Sequence, residues 1–107
     1  MSLPSQKVLE IINKHSELEK ELSSSNIDSK EFAQKSKEYS MLNEIIQNAK
    51  EYSNFDKDKQ DLEKIISDGN NEEEIIELAK IELEDLIKKY HKKKIKLKLF
   101  LLPKDEA

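Results

Sequence analysis

Seven lysines lie close together near the end of the chain, and they are its strongest candidates for a functional surface. They are Lys88, Lys89, Lys92, Lys93, Lys94, Lys96 and Lys98. One interpretation is a solvated helix end whose positive charge complements the helix dipole. The other is electrostatic contact with RNA phosphates or an acidic protein, independent of base sequence and sensitive to salt. Because the chain contains no Arg, bidentate recognition of phosphates or guanine edges is not expected.

The remaining side chains give little indication of catalysis. The two histidines, His15 and His91, do not form a His-Glu-x-x-His pattern. His15 falls on an apolar helical stripe, so we interpret it as a packing residue. The single Gly excludes a Gly-rich phosphate loop, and the lack of Cys excludes thiol chemistry. We therefore expect no catalytic residue, no cofactor, no metal site and no enzymatic activity.

Composition favours long amphipathic helices. Charged residues make up 39% of the chain and hydrophobic residues 36%, and Gly69, Pro4 and Pro103 are the only Gly and Pro residues. Apolar side chains must therefore be concentrated in narrow stripes. No apolar run is long enough to cross a membrane, and no secretory signal is visible, so we expect a cytoplasmic domain without membrane contact.

Periodicity predicts three helices, over about residues 4–23, 29–67 and 71–101. The second begins at Asp28 and Glu31, which have the spacing of a capping box. We favour one continuous second helix; a bend near Ser53-Asn54 is the alternative, because apolar positions there are three residues apart. The turn after this helix contains Gly69, expected to adopt the left-handed conformation, and Asn71, expected to cap the third helix.

The third helix carries a heptad pattern, which predicts that it packs against a partner helix. Its two columns are Ile76, Leu83, Tyr90 and Leu97, and Ala79, Leu86, Lys93 and Phe100. The short turn at Gly69 supplies the second helix as an antiparallel neighbour. The fold predicted is all-α, an elongated antiparallel three-helix bundle, or helical hairpin, with coiled-coil character. The shorter first helix should leave an apolar strip of the hairpin exposed, through which we expect self-association.

Three segments of the chain resemble a known family. The first is Leu-Phe-Leu-Leu-Pro-Lys-Asp at 99–105, the second is Ser-Lys-Glu-Tyr-Ser-Met-Leu at 36–42, and the third is Glu-Leu-Ala-Lys-Ile-Glu-Leu at 77–83. In order and spacing they resemble the N-terminal helical domain of bacterial class-1 peptide chain release factors. The Leu-Leu-Pro-Lys-Asp run is the most specific of these matches, and it resembles the members that read UAA and UAG.

The resemblance implies an accessory domain without catalytic residues. It implies contacts with the stalk base of the ribosome and with the class-2 GTPase release factor, and it places the helical domain at 1–102. Residues 103–107 would begin the linker to catalytic and decoding domains, whose Gly-Gly-Gln and Pro-x-Thr motifs are absent from this sequence. Two alternatives stay open. One is a coiled-coil adaptor that binds a partner helix, and the other is a tRNA-binding arm like that of seryl-tRNA synthetases.

Overall fold

The computed structural model describes residues 3–24 and 26–102, and these form five helices and no strand. The helices are α1 (Ser5–Leu22), α2 (Ser29–Asn43), α3 (Ile46–Ser53), α4 (Phe55–Ser67) and α5 (Glu73–Phe100). The all-α prediction is therefore confirmed. Helices α2, α3 and α4 follow one another as the second arm of an elongated bundle that measures 59 × 37 × 19 Å. The expected linker at 103–107 lies outside the described residues.

The expectation of one continuous helix over 29–67 does not hold, and its first interruption is at Glu44 and Ile45. The Glu44 N–H donates to the Met41 carbonyl at 3.3 Å, and the Ile45 N–H donates to the Leu42 carbonyl at 3.0 Å. These i→i−3 bonds tighten the last turn of α2. Ile45 and the adjacent Ile46 are both buried. The interruption thus falls where two successive side chains are both placed in the core.

The second interruption, at Asn54, corresponds to the alternative of a bend near Ser53-Asn54. Asn54 has φ −89° and ψ 0°, while the Asn54→Lys50 and Asp58→Asn54 backbone hydrogen bonds, 3.0 Å each, continue across it. Ala49, Tyr52 and Phe55 are spaced three residues apart and are all at least half-buried. A straight α-helix would rotate this stripe away from its neighbours, so the backbone adjusts locally to keep it inward.

The core lies at one end of the molecule, where α1, α3 and the last turns of α5 meet. Its buried cluster contains Leu3, Val8, Ile11, Ile45, Ala49 and Leu97. At the other end the two helices α4 and α5 form a helical hairpin. Of the residues described in this part of the molecule, Ala79 is the one that is buried. All eight positions of the predicted heptad columns on α5 are buried or half-buried. The hairpin geometry therefore follows the sequence pattern closely.

Polar side chains join α1 to α2, which has no buried residue of its own. His15 is only 7% exposed, its Nε2 lies 2.9 Å from Asn43 Oδ1, and its ring stacks on Tyr39. The Tyr39 hydroxyl donates to Glu19 at 2.9 Å. His15 therefore packs between helices, as its position on the apolar stripe of α1 suggested.

Two details of the turn between α4 and α5 differ from expectation. Gly69 does not have a positive φ. The N-cap residue of α5 is Glu72, whose side chain makes no capping hydrogen bond. The side-chain amide of Asn71 instead donates to the Ile65 carbonyl at 3.0 Å. The turn is held by Asp68, whose Oδ1 accepts from the Asn70 N–H at 3.0 Å. Because Asp68 and Asn71 supply these bonds, the turn needs no left-handed residue.

Replacing Gly69 by Ala is expected to stabilise the chain by about 0.4–1 kcal/mol, since Ala reduces the conformational freedom of the unfolded state. A Cβ at this position would have no atom within 4 Å. The measurement is the melting temperature of Gly69→Ala compared with that of the unmodified chain. Asp68→Ala, which removes the hydrogen bond to the Asn70 N–H, serves as a variant that is expected to lose stability. A lower melting temperature for Gly69→Ala would mean that the turn does require glycine.

Candidate interface on the last helix

The predicted lysine cluster occupies the last three turns or so of α5, and the fold divides it into groups. Lys93 lies on the inward heptad column, its side chain is 19% exposed, and its Nζ lies 3.5 Å from Glu51 on α3. Lys94 and Lys98 are half-buried. Lys89 Nζ lies 3.0 Å from the Oδ2 atom of Asp85, four residues earlier on the same helix. That bond with Asp85 raises the pKa of Lys89.

The remaining three lysines form a row on the outward side of α5. Lys88, Lys92 and Lys96 are spaced four residues apart, and all three are exposed. In an α-helix this spacing places side chains one above another on the same face. None of the ion pairs among the described residues involves this row. We call these three residues the outer lysine row; its charge is available to a partner.

Aromatic side chains near the lysines belong to the packing between helices. Tyr90 stacks on Phe55, with ring centroids 3.9 Å apart, and on Tyr52, with centroids 4.7 Å apart. Phe100 packs against the core cluster. These rings face neighbouring helices, as the heptad pattern predicted, and are not presented as platforms for stacking bases.

An open groove runs along α5, between that helix and α3 and α4. Its volume is about 620 Å³. Phe55, Leu62, Leu86 and Tyr90 provide the apolar part of the lining, and the charged part consists of Glu51, Asp58, Asp61, Glu82, Asp85, Lys89 and Lys93. Carboxylates outnumber lysines here. The helix therefore has an acidic flank and a basic outer row.

The described residues offer no arrangement that suggests catalysis by a metal. Among them no group of three or more His, Cys, Asp or Glu side chains could hold a metal ion. His15 is hydrogen-bonded to Asn43 and stacked on Tyr39. The ring of His91 makes an edge contact with the ring of Tyr90. No helix in the described part of the chain is long and apolar enough to span a membrane. Geometry and charge thus define a helical module with a candidate interaction surface on α5.

Comparison with known proteins specifies the class further. Residues 11–107 match the model of the PCRF domain, so the chain belongs to the PCRF domain family. It is 53% identical over 105 residues to peptide chain release factor 1 of Pelagibacter ubique (strain HTCC1062), covering 98% of this chain and 29% of that protein. It is 45% identical over 98 residues to release factor 1 of Wolbachia pipientis subsp. Culex pipiens (strain wPip), covering 87% of this chain and 26% of the relative.

The match to Ehrlichia ruminantium (strain Gardel) release factor 1 is 43% over 82 residues, covering 77% of this chain and 23% of the relative. No solved structure matches the chain. The chain spans less than a third of the length of these relatives. The family resemblance seen in the sequence is thereby confirmed.

Proposed function

We propose that this chain is the accessory ribosome-docking domain of a cytoplasmic peptide chain release factor that directs termination at UAA and UAG codons. The observation that carries the proposal is the match over 98% of the chain to a protein named peptide chain release factor 1. That match favours the release factor over the coiled-coil adaptor and the tRNA-binding arm. The domain itself performs no chemistry in this proposal; it binds and orients the factor.

The outer lysine row is the part of the domain that we propose contacts the ribosome. Lys88, Lys92 and Lys96 are exposed and lie on one face of α5. None of them takes part in an ion pair among the described residues. Flexible ammonium groups on a helix suit contact with phosphates without base readout. In line with the resemblance, we place the docking surface near the stalk base and propose the class-2 GTPase as a second partner of this domain.

A chimeric factor tests the proposal. This chain replaces the matching part of the Pelagibacter factor, which it resembles at 53% identity. In the chimera, Lys88→Gln, Lys92→Gln and Lys96→Gln together should weaken ribosome binding and reduce the slope of log affinity against log salt by about three. Gln keeps the helix propensity of Lys while removing its charge.

The matched control changes three exposed lysines elsewhere, Lys30, Lys57 and Lys64, to Gln. It should leave the salt slope nearly unchanged. In peptide-release assays the outer-row variant should need more factor for half-maximal rate while its plateau rate stays the same. A lower plateau at unchanged affinity would contradict a purely docking role, and equal slopes for both triple variants would overturn the assignment of the surface.

A further inference from the structure

The outward side of α5 carries a second heptad pattern, opposite the one that packs against α3 and α4. Its positions follow alternating steps of three and four residues: Leu78, Ile81, Asp85, Lys88, Lys92, Ile95 and Leu99. The four apolar members are between 59% and 62% exposed. Helices usually place such a pattern against another helix. In this molecule no other helix covers it within the described residues.

The second pattern is nearly symmetric about Lys88. An apolar pair lies at each end, Leu78 with Ile81 and Ile95 with Leu99, and charged side chains occupy the middle. The exposed strip expected from the sequence was placed only where α1 does not cover the hairpin. In the structure it has two parts, one at each end of α5. An antiparallel copy of the same helix would bring each apolar pair against the other.

The distribution of charge along α5 also favours antiparallel pairing. Its first half, Glu73–Asp85, holds six carboxylates and one lysine, whereas residues 86–100 hold seven lysines and no carboxylate. Parallel pairing would place like charges together. Antiparallel pairing places the acidic half of one helix beside the basic half of the other, with Asp85 near Lys88 and Lys92 of the second copy.

From this self-complementarity we propose that two copies of the chain associate through the outward faces of their α5 helices, antiparallel, with a two-fold axis near Lys88. Such an interface is isologous, so it closes at the dimer. It uses one face of one helix and contains charged side chains at its centre. The dimer is therefore weak, and its population rises with protein concentration. Lys88 and Lys92 belong to both surfaces, so a copy in this dimer cannot dock through the outer lysine row at the same time.

Cysteine cross-linking tests the orientation directly, because the chain has no native Cys. Lys88→Cys lies near the proposed axis, so oxidation should give a disulfide-linked dimer. Glu77→Cys lies eleven residues earlier, and in the antiparallel arrangement its two copies are more than about 30 Å apart at 1.5 Å per residue. It should remain monomeric. Efficient cross-linking of Glu77→Cys, or none of Lys88→Cys, would overturn the arrangement.

Sedimentation of the unmodified chain over a range of concentrations tests the association itself. Leu78→Gln with Leu99→Gln should raise the dimer dissociation constant by at least about tenfold, since four apolar side chains per dimer are affected. The control is Leu9→Gln, which changes an exposed leucine on α1 and should leave the constant unchanged. A chain that stays monomeric at every concentration, or equal effects of both variants, would refute the proposal.

Discussion

Replacing Leu97 by Ala should lower the free energy of unfolding by about 3–5 kcal/mol, the largest effect that we expect of a single substitution. Leu97 is 0% exposed and belongs to the core cluster with Val8, Ile11, Ile45 and Ala49. The cavity left by Ala would lie where α1, α3 and α5 meet. Domains of this size are stable by about 5–15 kcal/mol, so much of the folding free energy would be lost.

Leu99→Ala is the matched control, because the same substitution two residues later on the same helix changes a side chain that is 61% exposed. Its effect should stay within about 0.5 kcal/mol. Urea unfolding at low protein concentration, where self-association does not contribute, provides the measurement, and an unchanged m-value supports the comparison. Equal losses for the two variants would show that α5 presents another face to the core.

Local sequence patterns predicted much of the fold because the interactions behind them are local or strictly periodic. The apolar stripe of α1 on which His15 falls contains Val8, Ile11 and Leu18, and all three are buried. The Asp28 side chain caps α2 by accepting from the Lys30 N–H at 2.8 Å. The heptad of α5 identified its packed face. Each of these features depends on a few residues near one another in sequence.

The break between α2 and α3 could not be read from such patterns. No Gly or Pro lies near Glu44 and Ile45. The break exists because Ile45 and Ile46 both reach the core, which depends on where α1 and α5 lie. At Asn54 the three-residue spacing gave a local signal, but we judged continuity more favourable. Tertiary packing decided both points.

The candidate site shows the same division between local and long-range information. The Lys89–Asp85 pair joins residues four positions apart on one helix, a local spacing, whereas the Lys93–Glu51 pair joins residues 42 positions apart. Counting lysines identified the segment, but only the fold separates Lys93 from the outer lysine row. The bundle packing determines which side of α5 is outward, and with it which charges remain for a partner.

Tyr52 should make stability fall at high pH. Burial first, and then the hydrogen bond between the Tyr52 and Tyr90 hydroxyls, whose oxygens lie 3.2 Å apart, raises the pKa of Tyr52 to about 12. The ordinary tyrosine pKa is about 10. An acid whose pKa is higher in the folded state releases its proton more readily after unfolding. Its contribution is therefore complete below pH 10 and is lost as the pH rises from 10 through 12.

The stability of the wild-type chain relative to Tyr52→Phe should consequently fall by about 2 kcal/mol between pH 9 and pH 11.5. Phe cannot ionise but keeps the stacking on Tyr90. Because every other titrating group is common to both proteins, the difference reports on Tyr52 together with its hydrogen bond to Tyr90. Absorbance at about 295 nm follows tyrosinate formation, and the step assigned to Tyr52, at about pH 12, should disappear in the variant. A stability difference independent of pH would show that Tyr52 titrates alike in the folded and unfolded chains.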